Sequence, residues 1–175
     1  MTTISKKICL IGDFSVGKTS LIRRFVDRQF SDQYLSTVGV KISRKAVQLT
    51  DKGSSEPIQV QLLIWDIEGQ TKFKAIAPTY LQGAAGVIIV CDVTRPETIE
   101  NVQGHIKLFE SVNPKGVSLV AFNKTDLLEE EKREKLLEEN NLQDFPQVIA
   151  TYTTSAKTGK DVDKMFNTLS SNILV

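Results

Sequence analysis

The sequence has little of several features that would assign it to a specialised class of protein. It contains 2 cysteines and no apolar run near the roughly 18 residues that a membrane-spanning helix needs. Its formal net charge of +1 lacks the basic excess typical of general nucleic-acid binders. The N-terminus has no signal-peptide core. These absences favour a cytoplasmic protein without nucleic-acid partners, in which Cys9 and Cys91 are buried thiols.

The sequence also lacks the residues that direct lipid attachment. Residue 2 is threonine, which excludes N-myristoylation, and residues 170–175 contain no cysteine for prenylation. We therefore expect no direct lipid anchor. The 175 residues, 41% of them hydrophobic, fit one domain (residues 1–175) that buries about 70% of its unfolded surface.

The order of apolar segments predicts an α/β fold. Runs typical of strands occur at residues 7–11, 60–65, 86–92, 117–122 and 148–153, and helical patterns fill most of the gaps. Strands that alternate with helices predict a parallel sheet with helices on both faces. Residues 42–49 and 58–65 flank a polar stretch and predict a hairpin, hence one antiparallel edge in a six-stranded sheet. Asp161 is predicted to cap the last helix.

Residues 12–19 form the most informative segment. They read Gly-Asp-Phe-Ser-Val-Gly-Lys-Thr, the pattern G-x-x-x-x-G-K-T, between an apolar strand and a helical stretch. In such a loop the backbone N–H groups and the helix N-terminus surround phosphate oxygens. Lys18 would reach the β- and γ-phosphates, and Thr19 would offer a hydroxyl to Mg²⁺. The segment predicts triphosphate binding by a P-loop NTPase.

Three further motifs follow predicted strands. Asp66 can hold the Mg²⁺ shell, the N–H of Gly69 can contact the γ-phosphate, and Gln70 can orient a water. The next motif is Asn123-Lys124-Thr125-Asp126. The carboxylate of Asp126 can accept the N1–H and 2-amino hydrogens of guanine, which adenine does not offer. Ser155-Ala156-Lys157 supplies a backbone N–H that could reach the guanine O6.

Together these motifs resemble the Ras superfamily of small GTPases, most closely its Rab branch, over nearly the whole chain. The resemblance implies that Thr37 ligates Mg²⁺ with Thr19 and Asp66, that Phe30 lies against the guanine, and that Tyr34 closes over the phosphates. It implies a catalytic role for Gln70 and Lys18. The nucleotide contacts expected are Phe14, Ser15, Val16, Gly17, Lys18, Thr19, Ser20, Phe30, Tyr34, Thr37, Gly69, Asn123, Lys124, Asp126, Leu127, Ser155, Ala156 and Lys157.

The resemblance implies a monomeric switch that binds GTP or GDP with Mg²⁺ and hydrolyses GTP slowly. Effectors, an exchange factor and a GTPase-activating protein would bind its two switch loops. Two departures from the family pattern, Phe14 and Glu68, are expected to crowd the reaction site, with the Glu68 carboxylate facing the γ-phosphate. His105, the only histidine, is interpreted as structural.

Two alternatives use the same residues. The first is a scaffold that binds GTP or GDP but hardly hydrolyses GTP, and Phe14 and Glu68 are the residues that distinguish it. The second is an ATP-dependent kinase or ATPase, which Asp126 disfavours because it matches guanine.

Overall fold

A six-stranded sheet organises the part of the chain that this computed structural model describes, namely residues 2–32, 39–50, 53, 55–69 and 76–174. The strands are β1 (Thr2–Gly12), β2 (Val40–Thr50), β3 (Pro57–Ile67), β4 (Gly86–Asp92), β5 (Val117–Asn123) and β6 (Val148–Thr153). Their order is β2-β3-β1-β4-β5-β6, and every neighbouring pair is parallel except β2 and β3. The predicted mostly parallel sheet with an antiparallel edge strand is confirmed.

The first three strands are longer than the apolar pattern predicted. β1 begins at Thr2 and not at residue 7, because its polar start pairs with β3 as far as Thr2 opposite Ile58. β2 and β3 pair from Val40 opposite Ile67 to Thr50 opposite Pro57. Backbone hydrogen bonds extend these strands beyond the residues whose side chains are buried.

Helices cover both faces of the sheet, as predicted. They are α1 (Lys18–Asp27), α2 (Pro78–Leu81), α3 (Pro96–Glu100), α4 (Val102–Val112), α5 (Glu130–Glu139) and α6 (Val162–Asn172). On one face α1 and α6 meet, where the rings of Phe25 and Phe166 stack with centroids 4.1 Å apart. On the other face α4 contributes Ile106 and Phe109 to a second apolar cluster.

The alternation of β1 divides its side chains between the two clusters. Ile8 and Leu10 belong to the α1 and α6 side, whereas Cys9 and Ile11 belong to the α4 side. Cys9 and Cys91 are free and fully buried, as predicted. Burial raises the pKa of the Cys9 thiol to about 12 and raises that of Cys91 as well. Among the described residues, no helix has the length and apolarity to cross a membrane.

Asp161 occupies the N-cap position of α6, as predicted, but its side chain makes no capping hydrogen bond. Its backbone is left-handed, with φ 56° and ψ 9°, whereas a residue that caps through its side chain usually has an extended backbone. The predicted side-chain cap was wrong because the turn before α6 sets a different backbone conformation.

Candidate functional site

The carboxyl ends of the parallel strands lie at one edge of the sheet and surround a cavity of about 330 Å³. This volume falls in the range of roughly 300–1,000 Å³ typical of ligand sites. Ser31 and Asp32, which were not predicted, also line the cavity. The predicted residues that line it are Phe14, Ser15, Val16, Gly17, Lys18, Thr19, Ser20, Phe30, Gly69, Asn123, Lys124, Asp126, Leu127, Ala156 and Lys157.

The loop between β1 and α1 forms part of the cavity lining. Gly17 ends this loop with φ 101°, a conformation that favours glycine. A Cβ placed on Gly17 would lie 2.4 Å from Nδ2 of Asn123. That amide donates to the carbonyl oxygen of Val16 at 3.0 Å. A side chain at residue 17 would therefore displace Asn123 from the loop.

Side chains from two other segments, the turn after β4 and the end of β5, bind successive carbonyl oxygens of this loop. Arg95 Nη1 donates to the oxygen of Phe14 at 2.7 Å, and Lys124 Nζ donates to that of Ser15 at 3.0 Å. Asn123 Nδ2 donates to the next carbonyl oxygen, that of Val16. In a trans peptide the N–H points opposite to the C=O. The N–H groups of residues 15–17 therefore point away from these donors.

Lys18 lies buried inside the loop, with 6% of its surface exposed. Its Nζ donates to the carbonyl oxygen of Asp13 at 3.0 Å and to that of Gly12 at 3.4 Å. Burial lowers the pKa of Lys18 to about 8, against the opposing attraction of the Asp66 and Asp13 carboxylates. An anion in the cavity would favour the charged ammonium.

Thr19 and Asp66 meet beside this lysine. The Thr19 hydroxyl lies 2.5 Å from Oδ2 of Asp66, although the two residues belong to α1 and β3. Asp66 is 1% exposed. A hydroxyl and a carboxylate are both hard oxygen donors, which Mg²⁺ prefers. Their chemistry fits the predicted magnesium site.

Asp126 also lines the cavity, from a short 3₁₀ turn (Thr125–Leu127) after β5. The hydroxyl of Ser155 donates to its Oδ1 at 2.8 Å and accepts the N–H of Thr158 at 3.1 Å. Ser155 is buried and, unlike the other members of its motif, does not line the cavity. It therefore orients the Asp126 carboxylate from behind.

Arg24 supports two further lining residues, Ala156 and Lys157, and was not predicted. From α1, its Nε donates to the carbonyl oxygen of Ala156 at 2.7 Å, and its Nη2 donates to that of Lys157. Ala156 is itself 5% exposed. The segment after β6 is thus held in place by the helix that begins at the phosphate loop.

Tyr34, Thr37 and Gln70 lie outside the described residues, so their predicted roles stay predictions. Glu68, expected to face the γ-phosphate, has another contact: its Oε2 accepts the N–H of Gly39 at 3.2 Å. The N–H of Glu68 also donates to the Gly39 carbonyl at 2.8 Å. Glu68 therefore connects the end of β3 to the residue just before β2.

His105 is buried, at 3% exposed, as a structural role requires, but it also contacts the phosphate loop. Its Nε2 lies 2.9 Å from Oδ1 of Asp13, and Nδ2 of Asn101 donates to Oδ2 of Asp13 at 2.7 Å. The sequence offered one signal for this contact, a carboxylate within an anion-binding loop that needs a partner elsewhere.

Comparison with known proteins agrees with the geometry. The Ras family model matches residues 7–175. Ras-related protein Rab-13 of Mesocricetus auratus is 37% identical over 170 residues, which cover 97% of this chain and 80% of that protein. The GTP-binding protein ypt5 of Schizosaccharomyces pombe is 33% identical over 176 residues, with 99% of this chain and 80% of that protein covered. The GTP-binding protein ypt1 of the same yeast is 35% identical over 170 residues, which cover 95% of this chain and 79% of that protein.

Proposed function

Since this chain belongs to the Ras family, near its Rab branch, and is a GTP-binding switch that hydrolyses GTP, we propose that the cavity described above is its nucleotide site. One observation supports this proposal most strongly. A single cavity is lined both by a phosphate-type loop with a buried lysine and by a fixed carboxylate, Asp126. That arrangement suits a ligand with phosphates at one end and a guanine at the other.

The phosphates would bind at the N-terminus of α1. The N–H groups of residues 15–17 point away from the side chains that hold the loop carbonyls, and Lys18 adds a positive charge. Ser20 and Thr19 belong to the first turn of α1, where the helix dipole favours an anion. Phe14 and Gly69 also line the cavity, and in this proposal they would lie beside the γ-phosphate.

The guanine would bind between Asp126, Lys124 and Phe30. The Asp126 carboxylate can accept both hydrogens that guanine presents on its Watson–Crick edge, and Ser155 fixes its orientation. The N–H of Ala156 would reach O6, with Leu127 and Lys157 beside the base and ribose. Unpaired polar groups in such a site discriminate by large factors, so adenine would bind poorly.

Mg²⁺ would be held by Thr19 and Asp66, with Thr37 as a further ligand. When bound, the ion would neutralise charge on the β- and γ-phosphates. Gln70 would orient the attacking water. Ras-family proteins act through regulators and effectors, and for this chain we propose that an exchange factor, an activating protein and effectors bind the segments around residues 37 and 70. The chain would act as one GTPase domain and as a monomer.

The experiment that tests this site changes Asp126. Asp126→Asn replaces an acceptor with a donor, so the variant should prefer xanthine nucleotides, whose position 2 carries an oxygen. We expect competition with a fluorescent GDP analogue to show XDP binding more tightly than GDP. Asp144→Asn, which makes the same chemical change at an exposed residue, is the matched control and should keep the parental preference. Continued preference of Asp126→Asn for GDP would contradict the assignment.

A further inference from the structure

Two residues of the phosphate loop, Asp13 and Phe14, are attached to the segment between β4 and the middle of α4. Arg95 Nη1 donates to the Phe14 carbonyl at 2.7 Å. Asn101 Nδ2 lies 2.7 Å from Oδ2 of Asp13, and His105 Nε2 lies 2.9 Å from Oδ1. We call Asp13, Phe14, Arg95, Asn101 and His105 the loop-support cluster.

The cluster resolves an electrostatic problem within the loop. Asp13 puts a carboxylate into a loop whose predicted ligand is an anion, and the two charges would repel each other. Both oxygens of Asp13 are bound on the α4 side, one by His105 and one by Asn101. The Asp13 residue is 8% exposed and His105 is 3% exposed. Buried polar groups that satisfy each other fix one geometry, so the carboxylate stays on that side.

Arg95 acts on the next residue of the loop. Because it binds the Phe14 carbonyl, the N–H of Ser15 points in the opposite direction. Lys124 and Asn123 orient the following two peptides in the same way from β5. The loop is therefore held from two independent parts of the fold, and only the β5 side also belongs to the guanine motif.

We propose that Arg95 and Asn101 are positioning residues for nucleotide binding: through the loop-support cluster they hold the phosphate loop in its anion-binding shape and so slow nucleotide release. The proposal rests on GDP binding in this cavity. Neither side chain needs to touch the nucleotide. Arg95 aims the backbone donor of Ser15, and Asn101 keeps the Asp13 carboxylate turned away from the phosphates.

The test measures release of a fluorescent GDP analogue at saturating Mg²⁺ from Arg95→Ala and Asn101→Ala. Each variant removes one hydrogen bond to the loop, and Asn101 is exposed apart from this contact, so the fold should persist. We expect release to be about 3- to 10-fold faster in each, which matches the net contribution of one hydrogen bond. Arg95→Lys, which keeps a donor of the same charge, should recover part of the parental rate.

Two neighbouring exposed residues supply matched controls. Glu100→Ala truncates an exposed carboxylate at the end of α3, and Gln103→Ala truncates an exposed side chain two residues after Asn101. Both should release GDP at the parental rate. The ³¹P resonance of the β-phosphate of bound GDP should shift in Arg95→Ala and Asn101→Ala but not in the controls, because a general loss of stability does not change the field at the phosphate.

The outcomes separate this inference from the proposed site. Parental release rates in Arg95→Ala and Asn101→Ala, or an unshifted ³¹P resonance, would overturn the positioning role while leaving GDP bound. Equal acceleration by Gln103→Ala would also overturn it. A parent protein that fails to bind GDP would instead contradict the site itself.

Discussion

Gly69 packs directly against the backbone of the phosphate loop. A methyl group placed on its Cα would lie 2.6 Å from the Cα and N of Phe14 and 2.7 Å from the carbonyl carbon of Asp13. All three are backbone atoms, which cannot rotate aside as the end of a flexible side chain can. Any side chain at residue 69 would therefore separate the end of β3 from the loop.

The first prediction follows from this contact. Gly69→Ala should weaken binding of a non-hydrolysable GTP analogue by about tenfold, the loss of one hydrogen bond to a charged group, while GDP binding changes less. The reason is that the displaced N–H is the proposed γ-phosphate donor, which GDP does not use. Paired titrations with the two nucleotides measure the ratio. Equal weakening for both would show that the contact serves the loop as a whole.

The second prediction concerns Phe14, whose side chain is 40% exposed at the edge of the cavity. Phe14→Gly should raise the single-turnover rate of GTP hydrolysis severalfold, because in the proposed site the ring would occupy space beside the γ-phosphate that the attacking water and a supplied arginine need. GTP affinity should change less than the rate, as for an effect on the transition state. Leu137→Ala, which truncates an exposed apolar residue on α5, is the control. A hydrolysis rate no faster than that of the parent would show that the Phe14 side chain does not slow the reaction.

Among individual residues, the sequence predicts those that belong to contiguous motifs. Lys18 and Asp126 could be assigned because the neighbours that define their chemistry lie within a few residues of each. The Asp13 and His105 pair could not, because those residues are separated by 92 positions and only α4 packing brings them together. Arg24 and Arg95 act on backbone oxygens, which carry no sequence signal.

Among the elements, the strand centres could be predicted and some strand ends could not. β4 was predicted with its observed bounds because all of its side chains are buried. The start of β1 was missed because Thr2, Thr3 and Ser5 are held by backbone pairing with β3 and not by burial. Apolar periodicity detects buried side chains, so it cannot detect a ladder made by polar residues.

The third prediction belongs to α4. Gly104 lies on the exposed side of this helix, and a Cβ placed on it would have no heavy atom within 4 Å. Gly104→Ala should stabilise the protein by about 0.5–1 kcal/mol, because alanine loses less backbone entropy in a helix. The melting temperature should rise by about 1–4 °C. GDP release should stay at the parental rate, and an unchanged or lowered melting temperature would show that α4 needs glycine at this residue.

At the scale of the whole molecule, the sheet brings distant motifs to one cavity. The strands that precede the phosphate loop, Asp66, Asp126 and Ser155 are all parallel, so their carboxyl ends share one edge. Sequence order and strand direction were therefore enough to predict that these motifs meet. They were not enough to predict the supports behind them, which depend on side-chain packing between α1, α4 and the loops.

Asp92 connects the sheet to this cavity through an ion pair with Lys124, in which the carboxylate is buried and the lysine is partly exposed. It ends β4 at 1% exposed, and its Oδ2 lies 2.8 Å from Nζ of Lys124, while Thr94 donates twice to Oδ1. Burial alone would raise the pKa of this carboxyl. The hydrogen bonds from Lys124 and Thr94 prevail and hold the pKa below its ordinary value.

The fourth prediction is the pH dependence that this shift produces. A carboxyl with a lowered native pKa contributes stability that is present above the ordinary value of about 4 and is lost as the pH falls through the native value. Asp92→Asn should therefore lower the free energy of unfolding by about 1–3 kcal/mol at pH 7, because it removes a charge-assisted hydrogen bond. Between pH 4 and the lower native value its stability should fall less steeply than that of the parent.

Urea titrations of the nucleotide-loaded protein at pH 7, 5, 4 and 3 measure both effects. Asp144→Asn, at an exposed position, should follow the parental curve and controls for the change in net charge. The same loss of stability in Asp92→Asn at every pH would mean that the destabilisation comes from altered packing around the amide. A titrating group must instead give a difference in unfolding free energy between parent and variant that shrinks as the parental carboxyl becomes protonated. A difference that shrinks towards low pH would assign the acid sensitivity of this part of the fold to the ion pair between β4 and Lys124.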